Sequence, residues 1–69
     1  MSDHVYKKIQ LVGSSKTSIE DAIHNAINTA AKSLHDLNWF EVVETRGNIT
    51  DGKVDYFQVT IQVGFRLAG

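Results

Sequence analysis

Apolar and polar residues alternate through the C-terminal part of the chain, and this alternation constrains the fold most. One set of side chains would point to one side: Phe57, Val59, Ile61, Val63, Phe65 and Leu67. The opposite side would carry Tyr56, Gln58, Thr60, Gln62 and Arg66. A period of two is typical of a β-strand that buries one face. The pattern predicts a long strand over residues 54–67, with a polar second face.

A different periodicity upstream predicts a helix. Thr17 and Glu20 have the spacing of a capping box, so the helix is expected to begin there. Apolar residues then recur at helical spacing over about five turns. They form one stripe of Ile19, Ala22, Ile23, Ala26, Ile27, Ala30, Leu34 and Leu37. The alanines in this stripe would let the helix approach another surface closely.

Two further strands and a hairpin are predicted. Residues 5–12 are rich in strand-forming residues and are followed by a turn signal of glycine and serines. Residues 39–45 predict a second strand. Asp51 and Gly52 then give a strong hairpin signal before the third strand. The predicted order is β-α-β-β.

This order favours a single α+β domain over residues 1–69. The helix reverses the chain, so the first two strands are expected to run in the same direction. The length and alternation of the third strand favour a central position, which makes the sheet three-stranded and antiparallel. One helix covers one face of this sheet. The other face and two edges stay free, and free edges invite pairing between chains.

Size and composition limit how such a domain is stabilised. A chain of 69 residues buries only about 60% of the surface that its unfolded form exposes. There is no Cys, which excludes disulfides and makes oligomerisation the expected supplement. The net charge of −1 argues against a nucleic-acid or anionic-membrane partner, because binding to phosphates needs excess basic charge.

Targeting and membrane signals are not visible in the sequence. No apolar run approaches the roughly 18 residues that a membrane-spanning helix needs. The N-terminus lacks a basic region followed by an apolar segment. We therefore expect a cytoplasmic location.

A catalytic or metal centre is not predicted either. On the predicted helix, His24 and His35 would be separated by about 16 Å, which is too far to share a metal ion. The chain has no nucleophilic serine motif and no glycine-rich nucleotide motif. The sequence thus favours a protein that is not an enzyme.

The candidate binding residues lie on the predicted uncovered face. Gln58 carries an acceptor and two donors on one side chain, which suits a planar ligand with alternating acceptors and donors at its edge. An ordinary solvated face is the alternative. Arg46 is a candidate to stack on a ring or hold a phosphate, with a surface ion pair to Glu41 or Glu44 as the alternative.

Trp39 is the candidate stacking residue. Trp39 and Phe40 are neighbours in a strand and must face opposite ways. Phe40 shares its parity with Val42, so Phe40 is the better core residue and Trp39 the better exposed one; a core role for Trp39 is the alternative. Arg46 has the wrong parity to share a face with Trp39 in a regular strand, so a bulge or twist is needed between them.

Three segments together resemble the bacterial dodecins over nearly the whole chain. They are the opening strand and turn at residues 5–9 and 11–15, the tryptophan motif at residues 39–42, and the closing strand at residues 57–67. Each segment alone is a weak signal. Their combination at this spacing, in a chain this short, is specific.

The resemblance implies a hollow homododecamer that binds pairs of flavins near threefold axes, between symmetry-related tryptophans. In this chain Trp39 takes the stacking position, Gln58 the position that bonds the edge of the isoalloxazine, and Arg46 a position near the ligand. FMN is the expected flavin, with riboflavin and FAD as alternatives. Some relatives also bind coenzyme A, which we assign to no residue here. Gln62 is a departure, because bacterial relatives often have Lys there, and it weakens the expected attraction for anionic ligands.

The function implied is flavin storage, buffering and photoprotection, because a close indole can quench an excited flavin. Two alternatives remain from other classes. One is a structural or protein-interaction module whose polar face binds a protein. The other is a flavoenzyme subunit.

Overall fold

The computed structural model describes residues 3–67 as one helix and three strands. Strand β1 comprises Tyr6–Ser15, helix α1 Ile19–Ala30, strand β2 Leu37–Thr50 and strand β3 Lys53–Arg66. The strands lie in the order β1-β3-β2, and β3 pairs antiparallel with both neighbours. The predicted β-α-β-β order, the antiparallel sheet and the central third strand are confirmed.

The helix begins later than the capping box predicts. Its N-cap is Ser18 and not Thr17, because the Ser18 hydroxyl accepts the backbone N–H of Asp21 at 3.0 Å. Ser15, the last residue of β1, accepts the N–H of Thr17 at 2.9 Å. The hydroxyl of Ser15 also donates to the Asp21 carboxylate at 2.7 Å. These bonds join the end of β1 to the first turn of α1 and shift the helix start.

The helix is also shorter than its apolar stripe predicts, because it ends at Ala30. The N–H of Ser33 bonds to the Ala30 carbonyl, three residues earlier, at 3.1 Å, which tightens the final turn. Asp36 follows with a φ of 60°, a left-handed conformation that does not continue a helix. Leu37 then belongs to β2. The predicted helical position of His35 is therefore wrong.

The strands agree with their predictions best at the centre of the sheet. β3 matches within one residue at each end, whereas β1 continues to Ser15 and β2 spans Leu37–Thr50 rather than residues 39–45. Both outer strands are longer because their pairing with β3 continues beyond the strand-forming residues. The predicted hairpin turn is confirmed, since Asp51 and Gly52 have φ values of 53° and 75°, as a type I′ turn requires.

The core lies between α1 and the middle of β3. Val59, Ile61 and Val63 are at most 1% exposed and pack with Ala22 and Ala26. The predicted alternation of β3 is thus confirmed at its centre. The helix packs mainly on β1 and β3. Partly buried apolar side chains surround this core: Ile9, Leu11, Ile19, Ile23, Ile27 and Leu37.

Gly13 sets the distance between the helix and β1. A Cβ at this position would overlap the carbonyl oxygen of Ala22 and lie 2.9 Å from the Cβ of Ala26. Small residues on both elements therefore permit the close contact that the alanine-rich stripe predicts. A larger residue here has to separate the two elements.

We expect Gly13→Ala to lower the free energy of unfolding by about 1–3 kcal/mol, because overpacking moves backbone atoms that cannot rotate away. Urea unfolding at a fixed protein concentration measures the change. Gly52→Asn is the matched control, since a Cβ there meets open space and Asn tolerates the φ of 75°. Equal stability of Gly13→Ala and the wild type would contradict the close contact.

Candidate functional site

The sheet face opposite the helix is lined largely by polar side chains, and we call it the open face. Along β3 it carries Tyr56, Gln58, Thr60, Gln62, Gly64 and Arg66. The register places beside them the β1 residues Tyr6, Lys8, Gln10, Val12 and Ser14. The Gln62 amide donates to the Gln10 amide oxygen at 2.9 Å. The face therefore offers amide and hydroxyl groups more than charges.

A β-bulge in β2 decides which side chains of that strand reach the open face. Glu41 pairs with Gln62, and Glu44 pairs with Thr60. Three residue steps along β2 thus match two residue steps along β3. Val43, which has no partner in the register, is the additional residue. Glu41 and Glu44, although three residues apart, consequently point to the same face. The bulge that the parity of Arg46 requires is present.

Trp39 lies on the open face, above a glycine. It pairs with Gly64 of β3, and a Cβ on Gly64 would overlap atoms of the six-membered ring of Trp39. The ring of Tyr6 contacts the indole edge-on, with ring centroids 5.3 Å apart and an interplanar angle of 70°. The residue remains 38% exposed. An indole held against the sheet in this way presents an accessible surface for stacking.

Phe40 points to the helix side of the sheet but is not a core residue. It pairs with the buried Val63, yet Phe40 is 44% exposed and Val42 is 47% exposed. The reason is the placement of α1, which packs mainly on β1 and β3 and leaves β2 largely uncovered. The prediction of Phe40 as a core residue is therefore wrong for the single chain, whereas the outward direction of Trp39 is confirmed.

Glu41 connects Trp39 to the opposite edge of the sheet. The indole Nε1–H donates to Glu41 Oε1 at 3.0 Å, and the Lys8 ammonium reaches the same oxygen at 3.1 Å. The hydrogen bond from Trp39 and the charge of Lys8 hold the pKa of the Glu41 carboxyl below its ordinary value. Glu41 is therefore ionised at neutral pH, and its bond to the indole is charge-assisted.

Arg46 and Gln58 face each other across β2 and β3. Their Cα atoms are register partners, and Arg46 Nη1 donates to Gln58 Oε1 at 2.6 Å. Arg46 is thus bonded to the amide, and the alternative of an ion pair with Glu41 or Glu44 is not what the structure shows. The bond turns the Gln58 oxygen toward Arg46 and leaves its two N–H donors free of protein partners among residues 3–67.

Trp39 and Gln58 lie at opposite ends of the open face. Gly64, beneath Trp39, is six residues from Gln58 along β3, a separation of about 20 Å at 3.3 Å per residue. A ring stacked on Trp39 therefore cannot reach Gln58 of the same chain. The structure places these predicted residues on one face without bringing them together.

Four residues around Trp39 were not predicted from the sequence: Tyr6, Lys8, Glu41 and Gly64. Gly64 had a usable signal, since a glycine inside an otherwise regular strand marks a close approach by another group. The other three had none, because their contacts depend on the strand register. Sequence periodicity gives the direction of a side chain but not its neighbours across the sheet.

Within residues 3–67, no group of three or more His, Cys, Asp and Glu side chains is placed to hold a metal ion. In the same residues, no helix is long and apolar enough to cross a membrane.

The sequence model of the dodecin family matches residues 5–68. The chain belongs to the dodecin family. The dodecin of Thermus thermophilus is 51% identical over 63 residues, which is 91% of each chain. Dodecins are small binding proteins rather than catalysts.

Solved dodecins have the same fold. The dodecin from Streptomyces davaonensis has a TM-score of 0.94 at 48% identity, over 99% of this chain and 100% of the other. The dodecin from Streptomyces coelicolor has a TM-score of 0.94 at 42% identity, over 100% of this chain and 99% of the other. The β-α-β-β arrangement of residues 3–67 is thus the dodecin fold.

We expect Gly64→Ala to displace the indole of Trp39, because the new methyl group would overlap the ring. Trp39 is the one tryptophan in the sequence, so near-ultraviolet circular dichroism of the ligand-free protein reports its environment. The tryptophan band should weaken and the fluorescence should shift to longer wavelength. Thr60→Ala, on the same face of the same strand, is the control. An unchanged tryptophan band in Gly64→Ala would contradict the contact.

Proposed function

We propose that this dodecin binds flavin, with FMN as the main ligand, in a homododecamer that stores the cofactor and protects it from light. The observation that carries the proposal is the open face, on which Trp39, Gln58 and Arg46 all lie. In the dodecin pattern these are the positions for stacking, for bonding the edge of the ring and for a contact near the ligand. We place the protein in the cytoplasm and propose no catalytic role.

The chemistry of these side chains fits a flavin. Trp39 offers an electron-rich surface whose other side rests on Gly64. Gln58 offers its N–H donors to ring oxygens, and its amide oxygen keeps a second lone pair beside the bond from Arg46. An isoalloxazine edge presents both acceptors and a donor, so one amide satisfies both kinds of group.

The separation of Trp39 from Gln58 supports a site shared between copies of the chain. Because one ring cannot touch both residues of a single protomer, stacking and edge recognition would come from different protomers. Symmetry-related copies of Trp39 would then enclose the ligands. The site is incomplete without partner copies, and this links flavin binding to assembly.

Exposed apolar surface supports the assembly itself. The described residues leave ten large apolar side chains exposed, and most of them lie on β1, β2 and the hairpin: Val5, Tyr6, Val12, Trp39, Phe40, Val42, Val43, Ile49, Val54 and Leu67. The outer edges of β1 and β2 also have no strand partner within residues 3–67. Burying these groups requires further copies of the chain.

Two features of the proposed site support storage and photoprotection: an indole that can donate an electron, and a nearby acid that is already bonded. A bound flavin supplies light absorption and electron acceptance. Trp39 supplies an electron donor that can return the excited ring to its ground state by transferring an electron and taking it back. Glu41, the acid that Trp39 contacts, is already bonded by the indole and Lys8, so it is poorly placed to exchange protons with a ligand.

We expect native mass spectrometry to give twelve times the chain mass of 7.7 kDa, with bound FMN. The physical reason is the exposed edges and apolar side chains of a short chain without disulfides. A monomer or dimer mass would contradict the assembly. A dodecamer that binds no added flavin would instead favour a structural or interaction module, and turnover of a reductant would favour a flavoenzyme subunit.

We expect Gln58→Leu to weaken FMN binding by about 1–3 kcal/mol, because it leaves polar atoms of the ligand without partners. Fluorescence titration of the ligand-free protein measures the affinity, and thermal unfolding without ligand is the control for the fold. Trp39→Ala is the comparison variant, with a loss of about 0.5–1.5 kcal/mol beyond the buried area. Collapse of ligand-free stability with unchanged affinity would make Gln58 a structural residue.

A further inference from the structure

The indole of Trp39 is held on several sides by residues that do not belong to the predicted flavin contacts. Gly64 lies beneath the ring, Tyr6 contacts its edge, and Glu41 accepts its N–H. Glu41 is itself held by Lys8. Contacts with three residues thus restrain the Trp39 side chain, although it lies on an outer strand.

The geometry of the sheet explains how Lys8 reaches Glu41. Lys8, Gly64 and Trp39 form one row across the three strands. The outer strands of such a row are about 10 Å apart, twice the strand spacing. The extended Lys8 side chain reaches across β3 and places its ammonium 3.1 Å from Glu41 on β2. Gly64 makes room for the indole, whose ring atoms occupy the space above it.

We propose that Glu41 is the positioning residue of the stacking site: its carboxylate, anchored by Lys8, fixes the orientation of the Trp39 indole for ligand stacking. The inference rests on the proposed flavin site and adds a residue to it. A single bond to the ring N–H restrains rotation of the indole about its side-chain torsions, and a carboxylate acceptor makes that bond stronger than a neutral one. The indole is then ordered before the ligand binds, so binding loses less conformational entropy.

Other charged or titratable groups on the open face have different partners. Arg46 bonds Gln58, and Glu44 makes no hydrogen bond to Trp39 or Lys8 within residues 3–67. Arg66 pairs in register with Tyr6, beside the row of Lys8 and Gly64. Glu44 is therefore a matched control, because it is a carboxylate on the same strand and the same face.

The test compares the wild type with Glu41→Gln, Glu41→Ala and Glu44→Gln. Near-ultraviolet circular dichroism of the ligand-free protein reports the order of the single tryptophan. We expect the tryptophan band to decrease from the wild type to Glu41→Gln, which keeps an acceptor oxygen, and further to Glu41→Ala. FMN affinity should fall in the same order, by about five- to tenfold for Glu41→Ala. Glu44→Gln should match the wild type in both measurements.

Acid titration gives a second readout of the same contact. Because the pKa of Glu41 is lowered by the indole N–H and by Lys8, the carboxylate keeps its charge until the pH falls below its ordinary value of 4.5. Below that point the wild-type tryptophan band should approach that of Glu41→Gln. The variant should lack this transition, so the difference between the two proteins isolates the contribution of Glu41.

The outcomes separate this inference from the proposed function. A wild type that binds no FMN would reject the flavin site, whereas the ligand-free tryptophan band would still decide the role of Glu41. Wild-type band and affinity in Glu41→Ala would overturn the positioning role. An equal loss of affinity in Glu44→Gln would also overturn it, since the charge of the face, and not the orientation of the indole, would then be responsible.

Discussion

The helix is too short and too narrow to cover the sheet on which it packs, and the other features of the protomer depend on this mismatch. Twelve helical residues span about 18 Å, whereas fourteen strand residues span about 46 Å. The core is consequently limited to the middle of β3 and a few alanines of α1. Both sides of β2 remain accessible. A chain with this geometry keeps much of its apolar surface for contacts that lie outside the single protomer.

The bulge at Val43 is the feature that turns an ordinary outer strand into part of a candidate site. Without the additional residue, Trp39 and Arg46 would point to opposite sides of the sheet. With it, Trp39 and Arg46 share the open face, and Arg46 pairs with Gln58. One irregularity of register thus decides whether the predicted ligand contacts lie on the same face of the sheet. Gly64 plays the corresponding part on β3, where it leaves the space that the Trp39 ring occupies.

Sequence patterns predict this fold well wherever one physical effect dominates. The alternation along β3 and the turn at Asp51 and Gly52 each have one simple cause, and both are confirmed. The apolar stripe does not predict the helix end, because it continues in sequence to Leu37, while the backbone turns at Asp36. Alternation in β2 does not predict the exposure of Phe40, because burial depends on where α1 lies. The outward direction of Trp39 could be predicted from parity, whereas its partners Tyr6 and Glu41 could not, because they follow from the register of three strands.

The residues proposed for stacking and edge binding, Trp39 and Gln58, lie about 20 Å apart on one protomer, and this separation has a thermodynamic consequence. If different copies of the chain supply Trp39 and Gln58, an isolated protomer holds neither a complete site nor a buried sheet edge. The ligand then binds only the assembled state, and a ligand that binds one state selectively stabilises it by mass action. Flavin concentration and assembly would therefore reinforce each other. An indole that is already ordered in the protomer favours this coupling. Its conformational entropy is then not lost when the ligand or the partner copies bind.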